Sequence, residues 1–136
     1  MEVTLTHDAR YALMGIARAA IAASGTVVME SAIMGLPAVV LYRMSALSYL
    51  VGRLLVDVPR FSLPNILVGE TFETELLQDA VQPERIAETM ERIIMDGAPR
   101  DYVTERLARA VALLGEPHAA RRVAEKILAL GKHCDY

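Results

Sequence analysis

The sequence is almost free of cysteine, since its 136 residues include a single one, Cys134. No disulfide framework can form within the chain, which fits a reducing compartment. The three histidines, at positions 7, 118 and 133, lack the spacing of metal ligands, and no Cys/His pair predicts a nucleophile. We therefore expect neither a metal site nor covalent catalysis. We also predict no cofactor, and we assign no catalytic residue in this chain.

A basic block and a long apolar run are also missing. Fourteen Lys and Arg against seventeen Asp and Glu give a formal charge of −3, and no cationic patch predicts a nucleic-acid partner. The longest uncharged runs, residues 19–29 and 31–42, are shorter than the ~18 apolar residues of a membrane-spanning helix. We expect neither such a helix nor a signal peptide. The high hydrophobic fraction, 54%, then indicates a buried sheet, an interface lacking its partner, or a membrane-facing surface.

Short apolar runs alternate with helical patterns through residues 3–67. Strands that are apolar on both faces and separated by helices are typical of a parallel sheet covered on both sides. Asp8 and Ser45 are candidate N-caps, and Gly35 with Pro37 predicts a helix stop. The pattern predicts strands at 3–6, 19–23 and 38–42, and helices at 8–17, 27–34 and 45–56.

The second half has a different pattern. Residues 59–79 contain two prolines, an Asn and a Gly and predict a long irregular connection, a kind of segment that often carries function. Three amphipathic helices follow, each opened by proline and closed near glycine, at 83–96, 99–114 and 117–130. We predict an α/β fold with a Rossmann-like parallel sheet and flanking helices in residues 1–97. Residues 98–136 form a C-terminal helical tail that packs on this domain or is exchanged with a partner.

The turn Ser24-Gly25-Thr26 lies where a predicted buried strand ends and a helix begins. Thr26 can cap that helix, Gly25 allows close approach of the backbone to a ligand, and the free N–H groups of the first turn favour an anion such as phosphate. Ligands of open α/β sheets bind beyond the carboxyl ends of the strands. Small and capping residues are also ordinary at any β-to-α turn, and on these residues alone the ordinary turn is the favoured of the two interpretations.

Glu30 is the one acid in this apolar region. A capping box places its acid three residues after the cap, whereas Glu30 follows Thr26 by four, so reciprocal capping does not explain it. The spacing puts both side chains on one helix face, leaning toward the N-terminus. There the carboxylate can accept hydrogen bonds from hydroxyl groups, as on a ribose. The alternative is a solvated acid favoured by the helix dipole.

Two further polar residues follow predicted elements. Arg43 comes directly after the strand at 38–42 and can clamp a phosphate or pair with an acid. Asn65, in the segment Ser62-Leu63-Pro64-Asn65, is more often a turn residue than a ligand contact.

Taken together, these segments resemble the C-terminal half of the lipid-A-disaccharide synthases, bacterial glycosyltransferases with the two-domain GT-B fold. The similarity is close over about residues 3–95. The segments that carry it are Ala23-Ser24-Gly25-Thr26, Glu30, Gly35-x-Pro37, Val39-Val40, Tyr42-Arg43-Met44, Ser62-Leu63-Pro64-Asn65-Ile66-Leu67 and Glu75-Leu76-Leu77-Gln78.

The resemblance implies a specific reaction and a binding site. The family transfers 2,3-diacylglucosamine from its UDP-linked form to 2,3-diacylglucosamine 1-phosphate (lipid X), releasing UDP, and the C-terminal domain holds the donor UDP-2,3-diacylglucosamine. Carried over to this sequence, Ser24, Gly25 and Thr26 would face the diphosphate and Glu30 would take the ribose hydroxyls. The positions near the cleft whose roles the resemblance does not separate are Arg43, Asn65 and Gln78.

A full family member also has an N-terminal domain that binds the acceptor and supplies the catalytic base. The chain begins just before the first strand of the C-terminal half, so we expect donor or UDP binding but no sugar transfer by this chain alone. The resemblance also implies a cytoplasmic protein, peripheral contact with the inner membrane, and dimers that exchange C-terminal helices. Two alternatives stay open: a non-catalytic α/β association module, and the donor domain of another GT-B glycosyltransferase.

Overall fold

Three parallel strands organise the part of the chain that the computed structural model describes, namely residues 3–45, Tyr49 and residues 59–131. The strands are β1 (Ala20–Ala23), β2 (Ala38–Tyr42) and β3 (Glu75–Leu77), in the order β1-β2-β3. In register, Ala20 lies opposite Ala38, and Val40 lies opposite Glu75. The predicted α/β fold with a Rossmann-like parallel sheet is confirmed.

Helices flank this sheet and lie mostly where the sequence places them. Gly35, with φ of +68°, adopts the left-handed conformation that ends a helix, which confirms the predicted stop. The predicted helix at 45–56 lies outside the described residues, apart from Ser45 and Tyr49. The helices are α1 (Arg10–Ile16), α2 (Thr26–Ile33), α3 (Leu63–Val68), α4 (Pro83–Ile94), α5 (Ala98–Leu113) and α6 (Ala119–Gly131), with a 3₁₀ turn at Gln78–Ala80.

Two of the predicted elements are wrong. Residues 3–6 form no strand, and Val3 and Leu5 are 70% and 94% exposed. A strand needs a neighbour for its backbone groups, and no described strand pairs with this segment. The connection at 59–79 is not irregular, because it contains α3 and β3. Pro64 is compatible with the first turn of α3, and three residues are too few for β3 to show a period.

Strand β2 is the centre of the core. Val39 belongs to one buried cluster, with Leu76, Ile93 and Leu107, whereas Val40 belongs to a second cluster around Val28. Successive side chains of a strand point to opposite faces, so the two clusters cover β2 on both sides. The apolar run at 38–42 is therefore explained by a strand buried on both faces.

The C-terminal helices differ in how they pack. Helix α5 buries Val103, Leu107 and Ala110 in the same cluster as the sheet residues. Helix α6, in contrast, is exposed at every position from Ala119 to Leu130. Within the described ranges, no helix combines the length and apolar composition needed to cross a bilayer.

Leu107 and Leu128 provide a matched test of this core. We expect Leu107→Ala to lower the free energy of unfolding by about 2–5 kcal/mol, because Leu107 is fully buried and its truncation leaves a cavity. Leu128 on α6 is 67% exposed, so Leu128→Ala should change stability by no more than about 0.5 kcal/mol. Urea unfolding followed by circular dichroism measures both. Equal effects of the two substitutions would contradict the assignment of α5 to the core.

Candidate functional site

The candidate site lies at one edge of the sheet. Because all three strands are parallel, their carboxyl ends share this edge, and each is followed there by a predicted site residue. Ser24 follows β1, Arg43 follows β2 and Gln78 follows β3. The structure thus brings together residues from three distant parts of the sequence, as expected for ligand sites of open α/β sheets.

The turn at Ser24-Gly25-Thr26 connects β1 to α2. The Ser24 N–H donates to the Leu41 carbonyl at 2.8 Å, which holds the turn against the end of β2. The predicted cap at Thr26 is wrong, since Gly25 is the N-cap and Thr26 is already the first helical residue. A glycine cap has no side-chain oxygen, and no side chain caps this helix. The Val28 N–H donates to the Gly25 carbonyl at 3.3 Å, so of the first-turn N–H groups those of Thr26 and Val27 depend on water or a ligand.

Glu30 lies one turn further along α2, with its side chain only 24% exposed. Its two oxygens have different surroundings. Oε1 lies 3.5 Å from Nη2 of Arg10, a residue of α1, whereas Oε2 is buried and has no hydrogen-bond partner among the described residues. The freely solvated acid that the spacing left open does not fit this burial. A buried carboxylate oxygen without a donor is costly, so Oε2 is the atom of Glu30 that still requires a hydrogen-bond donor.

Gln78 closes the third strand end. Its Nε2 donates to the Met44 carbonyl at 3.0 Å, and its Oε1 accepts from the Met44 N–H at 2.8 Å. This pair of bonds resembles a backbone ladder and fixes the residue that follows Arg43. The Arg43 side chain is exposed, and no hydrogen bond or ion pair joins it to any residue that the structure describes. Gln78 thus holds in place the segment that presents this cation at the rim.

Asn65 is fully buried in α3, and its amide makes four hydrogen bonds. Nδ2 donates to the Glu73 carbonyl at 2.9 Å and to Glu75 Oε1 at 2.7 Å, while Oδ1 accepts from the N–H groups of Phe72 and Glu73 at 3.0 Å each. An amide offers two donors and two lone pairs, so its capacity is used up within the protein. Asn65 ties α3 to the segment that leads into β3.

Glu75, on β3, extends this network. Its Oε2 accepts from the Phe61 N–H and its Oε1 from the Ser62 N–H, both at 2.9 Å. These N–H groups lie at the entry to α3, where the positive end of the helix dipole favours a carboxylate. The side chain of Glu75 therefore supplies the cap that Ser62, the N-cap residue, does not supply with its own hydroxyl.

Glu73 is a buried acid of the same segment, 1% exposed. Its Oε1 accepts from the Ala38 N–H at 3.1 Å, and its Oε2 has no partner among the described residues. Burial raises the pKa of Glu73 to about 8; the hydrogen bond from the Ala38 N–H opposes this shift, and the nearby Glu75 contributes to it. The protonated form therefore predominates at neutral pH, and Glu73 connects β2 to the segment before β3 as a neutral group.

Sequence reasoning missed Arg10, Glu73 and Glu75. The one local feature that marks the two acids is the spacing Glu73-x-Glu75 directly before Leu76-Leu77. A hydropathy scale does not reveal their burial, because it scores every Glu as a polar surface residue. The contact of Arg10 with Glu30 depends on how α1 lies against α2, which no local pattern reports. Across 3–45 and 59–131, no three His, Cys, Asp or Glu side chains are grouped as metal ligands.

A cavity of about 160 Å³ lies elsewhere, near Ala38 at the opposite end of β2. Its lining includes Phe72, Arg92 and Tyr102 but none of the predicted site residues.

Comparison with known proteins gives a consistent result. A family model described as lipid-A-disaccharide synthetase matches residues 1–128. A lipid-A-disaccharide synthase of Myxococcus xanthus (strain DK1622) is 46% identical over 118 residues, which cover 87% of this chain and 31% of the relative. The one from Syntrophus aciditrophicus (strain SB) is 41% identical over 133 residues, 98% of this chain and 35% of the relative. The chain spans about a third of the length of these relatives.

Glu73 predicts a distinct dependence of stability on pH. The folded-state pKa of about 8 lies above the ordinary 4.5, so the folded protein binds a proton at Glu73 more tightly than the unfolded chain. The stability that this proton contributes is complete below pH 4.5 and is lost as the pH rises toward 8. Across this window the slope approaches about 1.4 kcal/mol per pH unit. Glu73→Gln stays neutral and can still accept from the Ala38 N–H, so it should be the more stable protein at pH 8–9.

Urea unfolding of both proteins between pH 4 and 9 measures this difference. Glu88→Gln, at an exposed position of α4, is the control and should reproduce the wild-type profile. Parallel profiles for wild type and Glu73→Gln would contradict the buried, neutral state of Glu73.

Proposed function

The chain belongs to the lipid-A-disaccharide synthase family, and on this premise we propose that it is the donor-binding C-terminal half of such an enzyme. The proposed donor is UDP-2,3-diacylglucosamine, and the acceptor in the whole enzyme is 2,3-diacylglucosamine 1-phosphate. The observation that carries the proposal is the Glu30 carboxylate, whose Oε2 is buried without a partner one turn behind the start of α2.

The ribose of UDP fits this carboxylate for a chemical reason. An ionised carboxylate accepts hydrogen bonds only, and a ribose offers two neighbouring hydroxyl donors. Such charge-assisted bonds are roughly twice as strong as neutral ones, and here they satisfy an otherwise orphaned oxygen. We assign the ribose hydroxyls to Glu30.

The diphosphate then lies at the N-terminal end of α2, beside Ser24, Gly25 and Thr26. The absence of a side-chain cap on α2 supports this assignment, because it leaves first-turn N–H groups for phosphate oxygens. Gly25 presents open space, with no atom within 4 Å of the position that a Cβ would occupy. Arg43, exposed at the neighbouring strand end, supplies a cation for the same phosphates.

We propose a structural role for Asn65 and Gln78. Their contact with substrate stays a prediction, and their amides already bond to Glu73, Glu75 and Met44. We propose that they hold the rim in shape, so that Arg43 and the turn after β1 keep their relative positions.

We propose no sugar transfer by this chain alone. The acceptor domain and the catalytic base that the family resemblance implies are not among the residues described, and the chain covers about a third of its curated relatives. The proposed location is the cytoplasm, with peripheral contact at the inner membrane where acylated sugars are found.

A second candidate, a non-catalytic association module, is favoured by one observation. Helix α6 is exposed along its length, and Val123, Ile127 and Leu130 recur at the i, i+4 and i+7 spacing of an apolar helix face. We propose that a second copy of the chain covers this face through exchange of the C-terminal helices. Donor binding and association are compatible, and separate measurements test them.

Nucleotide binding is tested by titrating the purified chain with UDP in a calorimeter. We expect saturable binding by wild type, lost or strongly weakened in Glu30→Ala because the ribose hydroxyls lose their acceptor. UDP at 100 times its Kd should also stabilise the wild type by about 2.7 kcal/mol. Glu88→Ala, a matched acid on the exposed face of α4, should bind like wild type. Absence of saturable binding by wild type, or equal binding by Glu30→Ala, would refute the site.

Association is tested by sedimentation velocity over a range of protein concentrations. We expect a concentration-dependent dimer for wild type and a monomer for Ile127→Glu, because a charge in the apolar face of α6 must be desolvated on association. Glu125→Ala, a substitution on the same helix but outside the apolar face, is the control and should still dimerise. A wild type that stays monomeric would contradict this second candidate.

A further inference from the structure

We infer that Arg10 is a positioning residue for Glu30, which it holds through Oε1 so that Oε2 faces the ligand; this inference rests on the proposed function. Arg10 Nη2 lies 3.5 Å from Glu30 Oε1. Within residues 3–45 and 59–131, Arg10 is the only basic side chain within ion-pair distance of this carboxylate. Neither the family motifs nor the sequence patterns assign Arg10 a role.

The two oxygens of Glu30 show why such a partner matters. A carboxylate can rotate about its terminal bond, and because its two oxygens are equivalent, what a partner selects is the plane in which the group lies. Attraction to the guanidinium favours orientations in which one oxygen faces α1. The other oxygen is then fixed in the buried position where no donor from residues 3–45 or 59–131 reaches it. Arg10 thereby prepares an acceptor for hydroxyl groups before the ligand arrives.

Arg10 also contacts its neighbour Tyr11, through the same nitrogen that lies nearest Glu30. Its Nη2 donates to the Tyr11 hydroxyl at 2.7 Å, and its guanidinium carbon lies 4.6 Å from the centre of the Tyr11 ring. This cation–π contact limits the rotamers of a side chain that is otherwise 60% exposed. Tyr11, Arg10 and Glu30 therefore form a short chain of contacts from the surface of α1 to the buried oxygen on α2.

The ion pair between Arg10 and Glu30 contributes little to folding stability, which agrees with a role in orienting Glu30. Exposed ion pairs contribute about 0–1 kcal/mol to folding, so little stability depends on a contact at 3.5 Å. If Arg10 orients a ligand-binding oxygen, in contrast, its removal lowers the affinity for the ligand directly. Arg10 should therefore influence ligands that carry ribose hydroxyls and leave other ligands unaffected.

The first test compares UDP with 2′,3′-dideoxyuridine diphosphate by calorimetry. For Arg10→Ala we expect UDP affinity to fall about tenfold, as for coupled neighbouring residues, with a change below about twofold for the dideoxy analogue. Arg10→Lys keeps the charge and should recover part of the loss. In a Glu30→Gln background, Arg10→Ala should have no further effect. Arg121→Ala, on the exposed helix α6, is the control and should bind both nucleotides like wild type.

Equal weakening of both nucleotides by Arg10→Ala would overturn the inference, because it would place Arg10 at the phosphates. A second measurement does not depend on nucleotide at all. Ligand-free crystal structures of wild type and Arg10→Ala should show Glu30 leaving its wild-type rotamer in the variant, and an unchanged Glu30 would also overturn the inference. If wild type fails to bind UDP, the proposed function fails, and these structures still decide whether Arg10 positions Glu30.

Discussion

Parallel pairing of β2 with both β1 and β3 is the constraint on which the rest of the structure depends. It brings three carboxyl ends to one edge, and the residues following those ends, Ser24, Arg43 and Gln78, become neighbours only because of it. Strand β3 is three residues long and gains few ladder bonds of its own. The side chains of Asn65, Glu73 and Glu75 supply the missing connections, from β3 and its approach to α3 and β2.

This buried polar network explains a feature of the fold that hydropathy alone does not. Asn65 and Glu75 have their hydrogen-bonding groups paired, which makes their burial tolerable. Glu73 achieves the same by remaining protonated, since its raised pKa removes the charge that burial penalises. The network therefore joins Glu73, as a neutral group, and Glu75 around the single amide of Asn65.

Much of the fold follows from local patterns, and the remainder depends on contacts between distant residues. The alternation of apolar runs and helical stripes predicts β1, β2, α1 and α2 because burial on both faces leaves a signal in the sequence. Strand β3 leaves none, as three residues cannot show a period, and the predicted strand at 3–6 lacks a described partner. For the site, the local sequence indicates the Ser24-Gly25-Thr26 turn and shows that Glu30 follows Thr26 by four residues rather than the three of a capping box. The local sequence does not indicate Arg10, because its contact with Glu30 joins two helices, α1 and α2, whose relative position no local pattern reports.

The family relationship and the geometry lead to the same residue from different directions. The resemblance read from the sequence implies a ligand contact at Glu30, and Glu30 is also a carboxylate that the fold buries with one oxygen lacking a partner among the described residues. The most direct measurement of this account is a crystal structure of the chain with bound UDP. The account predicts ribose hydroxyls about 2.6–3.0 Å from Glu30 Oε2 and the diphosphate at the start of α2. A nucleotide bound elsewhere, or a ribose that does not contact Glu30, would contradict it.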